Sequence, residues 1–429
     1  MSALTSDDPL GAAPNEFRRG WPVVASAMLG IGLGLSPVPF YTIGILAPQL
    51  VHAFGWGFAA VMGGLPITSI AVMGASPLVG VLADRFGVRR IAIGSLALFG
   101  LSFMAFALSN GSLILFYANW GLMALLGAGT LPITWTRGVN NAFDRRKGLA
   151  LGLSLLGTGI FGYLVKPFTA WVIAGWGWRA AYMAIGALPL VIALPAAILG
   201  FRDVGPRASK ATPAPGLDFW PAVRSWRFWV LAIAFLPISF AVGGPIPNME
   251  NILKLAGFAP GQIVSLASLI GLSVIGGRVV GGWLLDRIWA PAVAVVLIGA
   301  PAVGCWLLAH GPVGYGLTAT SIVLIGFAAG VEYDLMAFMT ARYFGMRRYA
   351  SIYGALYGFF AAGAGFAPVI FGAAFDRSGS YAQPLMLSSV LLLVGVALLL
   401  CLGRYRNFPA VSAGEVIAAA EGTADTLPA

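Results

Sequence analysis

Gly80-Val81-Leu82-Ala83-Asp84-Arg85-Phe86-Gly87-Val88-Arg89-Arg90 closes a long apolar run with one aspartate and three arginines. A shortened copy, Gly282-Trp283-Leu284-Leu285-Asp286-Arg287, closes another apolar run at an offset of 202 residues. A second pair of landmarks repeats at nearly the same distance: Phe143-Asp144-Arg145-Arg146-Lys147 precedes one apolar run, and Phe344-Gly345-Met346-Arg347-Arg348 precedes another 201 residues on. Two unrelated landmarks at one offset predict a duplicated unit, the pattern of two parallel membrane-embedded halves.

Composition names the solvent. Of 429 residues, 59% are apolar and 9% charged, against roughly 25% charged in a soluble domain, so most of the chain must be solvated by lipid. The formal net charge of +10 does not describe a nucleic-acid surface, because the basic residues stand in twos and threes between apolar stretches. None of the four lysines follows Gly and precedes Ser or Thr, which excludes a Walker A phosphate loop and nucleotide-driven work. His52, His310, Cys305 and Cys401 are far apart, so no metal site, disulfide or redox pair is expected, and no cofactor. No nucleophile or paired catalytic carboxylate is visible either, so the chain is not read as an enzyme.

Runs of the 20-odd apolar residues needed to cross a hydrocarbon core of about 30 Å occur twelve times: approximately 21–50, 59–83, 91–109, 113–140, 148–174, 180–200, 228–251, 261–285, 290–309, 314–340, 349–375 and 384–403. The fold class is therefore all-α membrane protein, twelve transmembrane helices in two six-helix lobes. Residues 1–20 form a polar tail, 21–201 the first lobe, 202–227 a linker with Pro206, Pro213 and Pro215, 228–403 the second lobe, and 404–429 a second tail. With both termini cytoplasmic, 19 Lys and Arg fall on the cytoplasmic side and three, Arg179, Lys254 and Arg377, outside. This split satisfies the positive-inside rule.

The Gly80–Arg90 pattern and its weaker second occurrence resemble the loop signature of the major facilitator superfamily. That resemblance implies a gate at Asp84, Arg85 and Arg90, with Asp286 and Arg287 as its counterpart; a plain topology anchor is the alternative. Gly330-Val331-Glu332-Tyr333-Asp334, Ala341-Arg342-Tyr343-Phe344-Gly345, Ile352-Tyr353-Gly354 and Phe375-Asp376-Arg377-Ser378-Gly379-Ser380-Tyr381 further resemble the bacterial branch of the monocarboxylate transporter and oxalate:formate antiporter group. Gly277-Arg278 is similar to the arginine-bearing eighth helix with which that group binds a substrate carboxylate. Two departures matter. The eleventh span has no lysine, which argues against a small dicarboxylate, and the first span has none either, so the monocarboxylate transporters' proton relay does not transfer.

Inside the spans stand Arg137, Lys166, Arg278, Glu332 and Asp334, with Glu250 near an outer end. A central charge costs on the order of 2.5–3.5 kcal/mol on insertion scales, so each should face protein or water. At 1.5 Å per residue, Arg278, Glu332 and Asp334 share one level. The two acids are about 200° apart on a helix, so only one of them faces the cavity. Arg278 is expected to bind a carboxylate, with Glu332 or Asp334 taking a proton; a permanent structural ion pair is the alternative. Lys166 has no acid at its depth in its own lobe and is expected to bind the anion or to snorkel. Arg137 is expected at a gate, and Glu250 with Lys254 as an exposed i,i+4 pair.

Pro37, Pro39, Pro132, Pro245 and Pro247 are expected to break the first, fourth and seventh spans. Tyr41, Trp135, Tyr163, Asn248, Tyr333, Tyr353 and Tyr357 are candidate cavity walls. An aromatic wall with few amides favours an acid with an apolar or aromatic body over a sugar. The expectation is a secondary active transporter of organic monocarboxylates, proton- or anion-coupled, working as a monomer in a bacterial inner membrane; an exporter of cationic or amphipathic drugs is the alternative.

Overall fold

The computed structural model describes residues 16–143, 147–202, 215–311 and 314–406. Most of the two expected tails, Arg145, Arg146, the middle of the linker and the Asp84 side chain lie outside the described residues. Regular structure among them is helical apart from one isolated bridge, Gly216 to Gly345.

Helix α1 runs Gly20–Phe54, α2 Gly64–Phe86 behind a short helix at Phe58–Met62, α3 Val88–Leu108 and α4 Leu113–Val139. A single apolar stretch of 52 residues follows, Leu149–Gly200, roughly 78 Å long at 1.5 Å per residue, too long for one crossing. It is two crossings, α5 (149–176) and α6 (178–200), joined at Gly177, whose φ of 81° and ψ of 175° leave the helix. The second half comprises α7 Trp226–Leu255, α8 Pro260–Leu285, α9 Ala290–Ala309, α10 Tyr315–Phe344, α11 Tyr349–Ser378 and α12 Ala382–Leu400. Eleven continuous apolar segments thus give twelve crossings, and the even number returns the chain to its starting face. That terminus face is tied together locally: the Phe17 and Phe143 rings lie 5.1 Å apart, and Ala290 N–H donates to the Tyr405 hydroxyl at 2.7 Å.

The prolines break three helices where the missing N–H predicts. In α1 the helix stops at Gly32 and restarts at Pro37, in α4 it restarts at Pro132, and in α7 at Pro245 after Gly244. Freed backbone groups must find partners when water is absent. The α1 and α4 breaks supply each other, since Thr130 Oγ1 accepts from Leu35 N–H at 2.9 Å and donates to Gly127 O at 2.7 Å.

The two halves meet along α5 and α8 and along α2 and α11. A Cβ on Gly271 of α8 would collide with Tyr163 N and lie 2.7 Å from Gly159 O, so the approach of α5 requires glycine there. On the face opposite the termini, the far face, the Phe58 and Phe375 rings meet edge to face at 5.0 Å. Phe58 N–H and Ala59 N–H donate to Asp376 Oδ1 and Oδ2, both at 2.9 Å. The short helix at Phe58 follows Gly57 and has no cap of its own, and a carboxylate from the other half takes that place.

Candidate functional site

Between the halves lies a cavity of about 170 Å³. Its wall is built from the broken stretch of α1 (Leu35 to Tyr41), from α2 (Thr68, Ser69), α7 (Val242, Ile246), α8 (Val274, Arg278), α10 (Glu332, Tyr333) and α11 (Tyr357, Phe360). Most of that surface is apolar or aromatic, with one base and one acid set into it.

Arg278 reaches α10 because glycines thin that interface. A Cβ on Gly277 would collide with Phe327 O, and one on Gly330 would lie 3.1 Å from Arg278 N. Arg278 Nη1 is 3.6 Å from Asp334 Oδ1, with the side chains 13% and 32% exposed. Glu332 lines the cavity, only 6% exposed, and Asp334 does not. The two acids, about 200° apart, divide as helix geometry requires: one to the cavity, one to the ion pair. Arg278 Nε and Glu332 Oε2 are buried without a hydrogen-bond partner among the described residues. Unmet donors and acceptors of that kind are costly in a dry site, and a bound solute can satisfy both.

Tyr349, Tyr353 and Tyr357, one helical turn apart on α11, stack in sequence, and Tyr357 continues onto Phe360. Tyr333 of α10 closes the group, 4.4 Å from the Phe360 ring. This aromatic ladder leads from the terminus face to the cavity.

Lys166 corrects the sequence reading. It neither snorkels nor stands unpaired: its side chain is 1% exposed, and its ammonium is hydrogen-bonded to Glu250 Oε1 from the other half. The expected Glu250–Lys254 surface pair is accordingly absent; Glu250 is buried and Lys254 is exposed. Depth read along one half had no means of finding an acid supplied by the other.

Of the remaining wall candidates, Tyr41, Tyr333 and Tyr357 line the cavity. Trp135 does not; it is fully buried against Phe201, and its indole N–H donates to Thr130 O at 3.1 Å. Asn248 does not either. Its amide donates to Gly244 O at 2.9 Å across the α7 break and accepts from the Tyr381 hydroxyl, which in turn accepts from Asn251. Burial pushes the Tyr381 phenol well above its usual range, which keeps it an uncharged donor. Tyr163 is exposed on the outside of α5, and Tyr353 sits in the ladder. Among the expected gate residues, Arg85, Arg90, Arg137, Asp286 and Arg287 are exposed. Arg287 lies over the Trp283 ring at 4.4 Å. Asp376 was not among the candidates; the signal was the uncapped helix start after Gly57.

Twelve apolar crossings, two halves and a central cavity at broken helices define a membrane transport protein. The family description "Major Facilitator Superfamily" matches residues 23–368, and the chain belongs to that superfamily. It is 30% identical over 372 residues to an uncharacterized 38 kDa protein of Thermoproteus tenax, covering 84% of this chain and 90% of that one. It is also 30% identical over 347 residues to human monocarboxylate transporter 11, covering 78% and 70%. A solved bacterial homolog of the human lysosomal transporter Spinster, inward-facing and occupied, superposes with a TM-score of 0.68 at 14% identity, covering 93% of this chain and all of that one.

Proposed function

We propose that this protein is a secondary active transporter of small organic monocarboxylates, proton-coupled, that alternates access by rocking its halves, 21–201 and 228–403, about the central cavity. The observation that carries this reading is the pairing of an unmet Arg278 donor with an aromatic wall in one cavity. A guanidinium held by one long contact to Asp334 keeps N–H groups for a carboxylate, while Tyr41, Tyr333, Tyr357 and Phe360 suit an apolar or aromatic body. About 170 Å³ favours a small acid. The likeness to a protein named monocarboxylate transporter 11 supports the same class.

The 19 to 3 distribution of Lys and Arg supports cytoplasmic termini, and the family resemblance supports a bacterial inner membrane as their setting. The cavity then faces the cytoplasm and the far face is the closed outer side, with the Gly80–Arg90 loop acting when the inner side shuts.

Glu332 supports a second reading. A cavity carboxylate without a base bound to it suits a cationic solute, as in a drug exporter of the same fold.

Uptake of labelled aliphatic and aromatic carboxylates into proteoliposomes, with and without an inward proton gradient, separates the two. Gradient-stimulated uptake of one acid class that is lost in Arg278→Ala supports the carboxylate reading. Failure of every acid, or full activity of Arg278→Ala, overturns it in favour of the exporter.

A further inference from the structure

Lys166 and Glu250 sit on opposite halves, and their contact persists only while α5 and α7 stay together. The pair lies just beyond the cavity wall: a Cβ on Gly162, one turn before Lys166, would be 3.0 Å from the ring of Tyr41, which lines the cavity. Around Glu250, α1 contributes Gly44, where a Cβ would collide with Glu250 Oε2. The only charged side chain within α8 is Arg278, which is paired with Asp334. From α11 and the turn after it come Asp376, bound by the Phe58 and Ala59 amides, and Tyr381, bound to Asn248 and Asn251. On α7 itself Lys254 is exposed and Arg227 lies at the other end. Glu250 Oε1 thus meets a single counter-charge, Lys166, and Oε2 has no hydrogen-bond partner among the described residues.

We infer that Glu250 carries the coupling proton, and that Lys166 exchanges partners between Glu250 in the unloaded protein and the substrate carboxylate in the loaded one; this rests on the carboxylate reading above. A buried pair tolerates loss of neither partner, because the survivor is an uncompensated charge. Opening the far face hydrates both groups, and a proton from that side binds a Glu250 oxygen. Lys166, still an ammonium, then has no partner unless an anion arrives. The far face recloses over carboxylic acid, ammonium and carboxylate, whose summed charge is zero, as it was for the empty pair. When the carboxylate leaves through the cavity, Lys166 draws Glu250 back into the ionised pair, and the proton follows the anion to the terminus side. One proton and one monocarboxylate cross together, without net charge.

The test uses the full chain in proteoliposomes with labelled lactate, pyruvate and benzoate as probes. Wild-type uptake should rise with an inward proton gradient and stay unchanged when a potassium diffusion potential is imposed. Glu250→Gln should bring the ratio of gradient-stimulated to unstimulated uptake down to about one, and Glu250→Asp should restore it. The double variant Lys166→Met with Glu250→Gln, which leaves no buried charge, should fold by gel filtration and show no gradient stimulation. Gradient stimulation in the double variant or in Glu250→Gln equal to wild type overturns the inference alone. So does wild-type symport that responds to the imposed potential. No uptake of any probe by the wild type overturns the carboxylate reading as well.

Discussion

Asp376 of α11 caps the helix that begins at Phe58, its two carboxylate oxygens each taking one backbone N–H across the boundary between the halves. A helix start carries about half a positive charge and unpaired N–H groups, and here the compensating anion belongs to the other half of the molecule. In the proposed rocking motion, closure of the far face includes this bond and opening breaks it.

Asp376→Ala should shift the protein toward states open on the far face. Loss of a cap costs roughly 1 kcal/mol, about a five-fold change in the ratio of two conformers. Spin labels at the exposed His52 and Lys254, in a background lacking Cys305 and Cys401, report the far-face separation. The long-distance population should grow in Asp376→Ala and much less in Asp376→Asn, which keeps one acceptor. Equal distributions in all three proteins would show the cap to be incidental.

Arg278 is expected to separate charge from shape. Removing one partner of a desolvated charge pair costs about 2–5 kcal/mol, so Arg278→Ala should raise the apparent KM for a carboxylate by roughly 30-fold or more. Arg278→Lys keeps the charge and loses the planar fork, and should fall between. Both are read from concentration-dependent counterflow in proteoliposomes; wild-type KM in Arg278→Lys would argue against bidentate binding.

The crossings, the breaks at Pro37, Pro132 and Pro245, and the shared level of Arg278, Glu332 and Asp334 were legible because each depends on local chemistry: apolar length, a missing N–H, a rise per residue. Facing was less legible. A residue's type beside a break does not state the face it occupies: Trp135 packs on Phe201, and Asn248 is bonded to Gly244 O and the Tyr381 hydroxyl. The partner of Lys166 was illegible for a different reason. Glu250 is 84 residues away in the other half, and its neighbour Lys254 offered a plausible local partner that the burial of Glu250 removes.

The α5–α8 contact should be intolerant of a single methyl group. Gly271→Ala places a Cβ against the Tyr163 and Gly162 backbone, whereas at Gly261, in the first turn of the same helix, a Cβ meets nothing within 4 Å. Overpacking against backbone costs typically 1–3 kcal/mol. The melting temperature of Gly271→Ala in detergent should drop by several degrees, and that of Gly261→Ala should stay near wild type. Equal melting temperatures would mean that the halves separate at no cost along this seam.

Thr130 offers the last test, because one hydroxyl serves two breaks. Its oxygen accepts from Leu35 N–H and donates to Gly127 O, and the residue is almost fully buried. Thr130→Val preserves shape but leaves the Leu35 amide without an acceptor in a site where a missing hydrogen bond costs about 1–3 kcal/mol. Thr130→Ser keeps the oxygen and loses only a methyl. Thermal unfolding should therefore rank wild type and Thr130→Ser together above Thr130→Val. Because Leu35 and Leu131 both border the cavity, Thr130→Val should also weaken transport beyond what its stability explains. If Thr130→Val is as stable as wild type, the α1 break is held by helix packing and not by this hydrogen bond.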